Sequence, residues 1–491
     1  AYQSRSPDPE LTGNRWKEMW LERLDCEPFF LEEWLAHQRR DAFWKHGSIA
    51  DDFGAFEIPA LVIAGWADGY RNTPLKAVEG LGDKAKAIIG PWVHKYPHFA
   101  WPKPRADFLG EAIRWWNRWL REEDNGAEDL PQVRAYILDA IKPAPRRDFD
   151  PGAWIAKQRW QKPEMHTLAL NHTRTLTDAA KTRASGEAYL KSPLGTGTAS
   201  GEYFTLKPDA EMAVDQNSDD VGSLVFETAV LESAVDYLGM PQVTLRLKAD
   251  AAQANLCARV VDVHPDGAAQ RVSFGVLNLT HRLSNEFPEP LVPGETVDVT
   301  LTLDACGYRF EKGHRIRLSL STSYWPMILP APTDASVLID LSSLELHLPK
   351  LGEAEQIEMK QPENPSPLPE YIEHAPGETR RSVTRELSAA RTDYRIHEDT
   401  GIHEHPGTGL STRQLREEIW SITDNAPTSA TGESIWTCEM ARPGWSVRTV
   451  STARIACTET DWLISADVVA YEGEDEIFTK TFERTIARDM M

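Results

Sequence analysis

Two short stretches place a carboxylate and an imidazole just beyond apolar runs. Ile58-Pro-Ala-Leu-Val-Ile-Ala64 leads into Gly65-Trp66-Ala67-Asp68-Gly69-Tyr70, and Ala85-Lys-Ala-Ile-Ile89 leads into Gly90-Pro91-Trp92-Val93-His94. A carboxylate that accepts the Nδ1 proton of an imidazole fixes its tautomer and stabilises the imidazolium, which equips Nε2 as a general base toward a nucleophile. Asp68 and His94 are therefore the candidate acid and base. The competing reading of the same residues is an Asp that caps a turn and an ordinary exposed His.

Something must bring the two together. Apolar runs of four to eight residues without alternation read as strands covered on both faces, which points to a parallel sheet. Pro74 to Leu81 carries a short helical pattern between them, completing a strand–helix–strand crossover. In open α/β sheets, sites lie beyond the carboxyl ends of the strands, so neighbouring strands would deliver Asp68 and His94 to one rim. Upstream, Trp16, Met19, Trp20 and Leu24 recur at helical spacing, as do Leu31, Trp34, Leu35 and Gln38; Phe43 and Trp44 follow before Gly47, so a helical hairpin is expected. Downstream, Leu109, Ala112, Ile113, Trp116, Trp119 and Leu120 keep a helical period until Asp124-Asn125-Gly126 stops it.

From about Gln132 to Leu346 the period becomes two. Val243, Leu245 and Leu247 alternate with Thr244, Arg246 and Lys248, and Ile316, Leu318 and Leu320 alternate with Arg315, Arg317 and Ser319. Many such strands with one wet face predict a two-sheet antiparallel sandwich. The expected organisation is α/β plus all-β: a helical cap segment over 1–50, the C-terminal half of an α/β domain over 51–128, a sandwich over 129–350, a Pro- and Glu-rich linker over 351–385, and a β-rich extension over 386–491 ending in a meander.

Composition narrows the function classes. The 491 residues carry a net charge of −22, which repels nucleic acid and anionic lipid. The longest apolar stretch, Pro59 to Ala67, falls short of the ~20 residues that a membrane-spanning helix needs. Five cysteines without CxxC spacing suggest neither a disulfide framework nor zinc and fit a reducing, cytoplasmic setting. The opening Ala1-Tyr2-Gln3-Ser4 has no signal-peptide character and reads as an internal start. His94 and His98 have HxxxH spacing, but Pro97 breaks the helical face that zinc would use. His397, Glu398, Asp399, His403, Glu404 and His405 read as a solvated loop, and no phosphate-cradling Gly motif occurs, so no cofactor or metal is expected.

Gly-Trp-x-Asp-Gly-Tyr, then Ile-Gly-Pro-Trp-x-His, then Phe310-Glu-Lys-Gly-His-Arg-Ile-Arg-Leu-Ser-Leu-Ser-Thr-Ser-Tyr-Trp-Pro326 together resemble the CocE/NonD serine hydrolases. The resemblance implies an α/β-hydrolase domain with a helical cap and a jelly-roll domain, Asp68 as triad acid and His94 as triad base, and a structural place for His314. It also implies that Tyr70 lines an acyl pocket. Trp16, Trp20, Phe43 and Trp44 would roof that pocket, with core packing of the hairpin as their competing role. The family's nucleophile sits in Gly-x-Ser-x-x-Gly upstream of the cap, and no such motif is present; Gly409-Leu-Ser411, Gly432-Glu-Ser434 and Gly444-Trp-Ser446 lie far downstream of the Asp. Two parallel strands need neighbours, so the expectation is a C-terminal portion completed by a segment of roughly 180 to 200 residues, on a cleaved or separate chain, bearing the Ser and the oxyanion hole. The substrate would be a small ester or amide; the rival readings are acyl transfer and a noncatalytic jelly-roll binding or assembly protein, with homo-oligomerisation through edge strands left open.

Overall fold

A computed structural model describes residues 3–178, 183–207, 210–363 and 370–491. The chain forms two compact units, one made of Ala1–Arg39, Leu329–Asp334 and Pro367–Met491, the other of Arg40–Ile328 and Ala335–Ser366.

In the larger unit β1 (Ala60–Gly65), β2 (Ala85–Gly90) and β3 (Val133–Leu138) run parallel, as the uninterrupted apolar runs predict for the first two. β2 is buried nearly end to end, whereas β1 is an edge strand whose first four residues are only half-buried. The crossover helix Thr73–Leu81 starts with Pro74 in its first turn, where a missing N–H costs nothing, and buries Leu75, Ala77, Val78 and Leu81. The helix Phe108–Arg121 is capped by Asp107, whose carboxylate accepts from the Gly110 N–H at 3.1 Å.

The sheet continues past residue 128, where the sequence places the start of the sandwich. β3 pairs with β4 (Gly152–Lys157), and the strands Cys306–Phe310, Val235–Gly239 and Glu355–Ile357 complete seven strands. The reason lies in β3 itself, Val-Arg-Ala-Tyr-Ile-Leu, buried at all six positions. Arg134 imitates a wet face in the sequence, yet it is buried and forks onto Glu111 at 2.7 and 2.9 Å. The sandwich proper consists of a six-stranded and a four-stranded sheet. Val243, Leu245 and Leu247 of one face Leu256, Ala258, Val260, Leu318 and Leu320 of the other in one shared core, as their period of two requires.

The smaller unit holds a nine-stranded sheet whose longest strands, Leu410–Thr423, Ala426–Arg442, Trp445–Cys457, Asp461–Glu472 and Asp475–Ala487, form an antiparallel meander. Its strands already begin at Ile372–Ala375, inside the expected linker; residues 364–369, in the middle of that linker, lie outside the described residues. The expected cap segment 1–50 is divided, because its described residues up to Arg39 belong to the unit that holds this sheet. The helix Trp16–Cys26 sets Trp20 and Leu24 on Val447 and Ala470, and Phe29 stacks on Phe482 at 5.1 Å. An apolar helix face thus meets the apolar period-two face of strands more than 400 residues later. Among the described residues, no helix is long and apolar enough to cross a membrane.

Candidate active site

The ends of β1 and β2 lie side by side, Gly65 opposite Gly90. The chain crosses so closely here that a Cβ on Gly65 would stand 1.9 Å from the Trp92 carbonyl oxygen, which is why glycine occupies the last position of β1. The Trp66 N–H donates to Gly90 O at 2.9 Å and the Ala67 N–H to Trp92 O at 3.1 Å, so the two turns are knitted before either functional side chain appears. Asp68 follows, 5% exposed, and its Oδ1 accepts from the Tyr70 N–H at 2.9 Å. Its Oδ2 lies 2.9 Å from His94 Nδ1. The His94 side chain is 43% exposed, and Nε2 has no protein partner among the described residues. A buried carboxylate holding one ring nitrogen, with the other nitrogen open, is the arrangement that allows an imidazole to accept a proton from an approaching hydroxyl.

Tyr70 stands beside the pair, its ring centroid 5.6 Å from that of His94. A cavity of about 360 Å³ next to His94 is lined by Ile63, Trp92, Tyr96, Phe99 and Phe108, with Asp68 at its edge. It is an aromatic pocket, suited to an acyl or aromatic group more than to a sugar. None of the four cap aromatics lines it. Trp20 is fully buried, donating its indole N–H to Ser4 O at 2.8 Å, and Trp16 packs on Trp20 and edge-on to Trp445 at 5.6 Å. Their surface is committed to the core of the smaller unit. Phe43 and Trp44, in the larger unit, meet edge to face at 5.0 Å and are 37% and 41% exposed.

Three residues that sequence reasoning did not single out complete the surroundings. Phe204 covers the His94 ring at 4.4 Å and sits so near the turn that a Cβ on Gly69 would come within 2.5 Å of it. The His94 N–H donates to Thr205 O at 2.9 Å. Arg71 is buried, and its Nε–H donates to Asp68 O at 2.6 Å. Burial lowers the pKa of the Arg71 guanidinium, with Asp304 opposing that shift. The only sequence signal for Arg71 is its place three residues after Asp68. Phe204 and Thr205 carry none, because they come from a loop more than 100 residues away.

His98 does not join His94 in a metal site; it is buried, stacks on Phe108 at 5.7 Å, and burial lowers its pKa. In the tail, the residues expected to form a solvated loop lie instead in two strands, Arg391–Asp399 and Ile402–His405, with Glu398 buried; His374 bonds Glu404 at 2.7 Å, and His403 lies against Tyr371. Among the described residues, Asp262, His264 and His314 are close enough together to hold a cation. Their ligand atoms are already engaged: Asp262 accepts from His314 Nδ1 at 2.8 Å and from the Tyr308 hydroxyl at 2.9 Å, while His264 Nε2 donates to Ile141 O at 2.9 Å. Ser411, Ser434 and Ser446 all lie within long antiparallel strands, not on a strand-to-helix elbow.

Residues 125–368 match the family model for the X-Pro dipeptidyl-peptidase C-terminal non-catalytic domain, and residues 1–96 match the X-Pro dipeptidyl-peptidase S15 family. The chain is 25% identical over 327 residues to cocaine esterase of Rhodococcus sp. (strain MB1 Bresler), a match covering 61% of this chain and 54% of that protein. Among solved structures, it is similar to an α-amino acid ester hydrolase (16% identity, TM-score 0.52, 67% of this chain and 61% of that one). It is also similar to an aminopeptidase from a marine sediment Thaumarchaeota archaeon (18% identity, TM-score 0.51, 67% and 60%), and both likenesses concern the fold. The chain spans about half the length of the curated relatives it matches.

Proposed function

The chain belongs to the CocE/NonD, X-Pro dipeptidyl-peptidase-like family, and from that premise we propose that it serves a serine hydrolase of ester or amide bonds. The observation that carries this reading is the contact between Asp68 Oδ2 and His94 Nδ1 at the adjoining ends of two parallel strands. His94 Nε2 takes the proton of a serine hydroxyl as it attacks the acyl carbon, then returns it to the leaving alcohol or amine. A water molecule repeats the sequence on the acyl-enzyme. Asp68 keeps Nδ1 protonated throughout and offsets the charge of the imidazolium. Tyr70 and the pocket of Tyr96, Phe99 and Phe108 receive the acyl group. The likeness to cocaine esterase supports an ester substrate, and the sandwich is read as a jelly roll.

The serine and the oxyanion donors belong, on this reading, to a segment outside this sequence that adds strands beside β1. Among the described residues β1 is the outer edge of a parallel sheet with half-buried apolar residues, a poor place for a sheet to end, which supports it. The helix Phe108–Arg121 buries Ala112 and Trp115 but leaves Leu109, Ile113, Trp116 and Leu120 in an exposed stripe, a second apolar surface that such a segment would cover.

The test is intact-mass spectrometry of the purified protein under denaturing conditions after reaction with a fluorophosphonate. An adduct on a polypeptide segment outside these 491 residues is the expected result. A folded preparation that takes no label overturns the hydrolase reading, and an adduct on a serine of this chain overturns the placement of the nucleophile.

A further inference from the structure

The region matched as non-catalytic contains Tyr203, Phe204 and Thr205, yet Phe204 and Thr205 lie directly on the Asp–His pair. The Thr205 carbonyl accepts from the His94 N–H at 2.9 Å, and the Phe204 ring lies 4.4 Å from the imidazole and 5.4 Å from Tyr70. Arg71 joins this loop to the other half of the pair. Its Nε–H donates to the Asp68 carbonyl at 2.6 Å, and one terminal nitrogen donates to the Tyr203 carbonyl at 3.1 Å. The remaining nitrogen faces Asp304 at 3.5 Å. Asn72 fastens that carboxylate in turn, donating to Asp304 Oδ1 at 2.8 Å and accepting from the Ala305 N–H at 2.7 Å. The guanidinium also lies 5.7 and 5.8 Å from the ring centres of Tyr203 and Phe274.

From this we infer that Arg71 is a positioning residue: one planar fork holds the backbone of the acid and the backbone of the loop that seats the base, so the sandwich side of the molecule sets the distance between Asp68 and His94. A fork of five N–H donors in a rigid plane can bridge two carbonyls and a carboxylate at once, which a lysine ammonium on a flexible stem does not reproduce. Burying a guanidinium is costly unless it is fully engaged. That cost is unnecessary for a surface turn and is explained by a requirement for fixed geometry at the pair. Phe204 acts in the same direction, closing one face of the imidazole so that its ring has a single orientation.

This inference rests on the proposed role of the Asp68–His94 pair, and its test separates the two. The readout is the downfield proton resonance of His94 Nδ1–H in its hydrogen bond to Asp68, measured by proton NMR on this chain, which requires no turnover. The wild type is expected to show it. Arg71→Met and Phe204→Leu are expected to broaden or shift it, while the remote core substitution Leu245→Ala lowers Tm and leaves it in place. In the complete enzyme the same two variants are expected to lower kcat about ten- to a hundredfold with KM within about twofold, the signature of misplaced reacting groups. If both variants fold and keep the wild-type resonance, the positioning role is overturned and the Asp–His pair stands. If the wild type lacks the resonance, the pair fails and the inference with it. Should Arg71→Met not fold, Phe204→Leu decides alone, and an unchanged resonance there overturns the role.

Discussion

The Asp68–His94 contact divides its labour by exposure: a carboxylate 5% exposed faces an imidazole whose side chain is 43% exposed. In the completed enzyme, Asp68→Asn removes the acceptor that fixes the tautomer and His94→Ala removes the base, so kcat is expected to fall by about three to four orders of magnitude while KM changes little. Steady-state kinetics on folded variants check this, and near-normal rates would take both residues out of the chemistry. A different buried carboxylate contributes to how stability depends on pH. Asp150 is 1% exposed, and although Arg147 lies 2.9 Å away, burial raises its pKa. Because the folded-state value exceeds the unfolded one, the stability tied to this proton is complete at low pH and is lost as pH rises through the folded pKa. Asp150→Asn removes that titration. Relative to wild type, the variant should therefore gain stability as pH is raised from about 4 toward 7, as urea unfolding at a series of pH values would show; a constant difference across that range would contradict it.

At the scale of elements, the helix Trp16–Cys26 and the terminal meander depend on each other. Leu24 is 1% exposed and packs against Val447 and Ala470. Leu24→Ala should destabilise the smaller unit by about 2–5 kcal/mol through lost burial and the cavity left behind. Hydrogen exchange would find the loss in the strands Trp445–Cys457 and Asp461–Glu472; protection unchanged there would mean that the helix is not part of that core. The sequence displays the helical face and the strand alternation separately, each by its period. That the two faces meet is invisible to periodicity, since a period reports which side of an element is apolar and not what covers it. The same limit explains β3. Its six buried residues include Arg134, and only the fork onto Glu111 shows that this charge is satisfied inside a two-faced strand.

For the molecule as a whole, the exposed stripe of Leu109, Ile113, Trp116 and Leu120 and the open edge of β1 are two apolar surfaces that a further segment is proposed to cover. Trp116→Glu should leave this chain folded and less prone to self-association, yet lose activity in the complete enzyme; analytical ultracentrifugation and turnover together check it, and full activity in a folded variant would mean the stripe faces water. The sequence by itself determined the Asp68 and His94 pair, the parallel strands that carry them, the alternating strands of the sandwich and the family. Each of these is written in local order, as a motif at the end of an apolar run or as a period along one element. The tertiary structure alone decided that Trp20 and Leu24 share a core with the terminal sheet, that Trp16 and Trp20 are packing residues, and that Arg71, Phe204 and Thr205 contact the pair. These contacts join positions separated by more than 100 to more than 400 residues, or depend on where a single guanidinium fork ends. Surface complementarity between finished elements settles them, and no short window of sequence contains it.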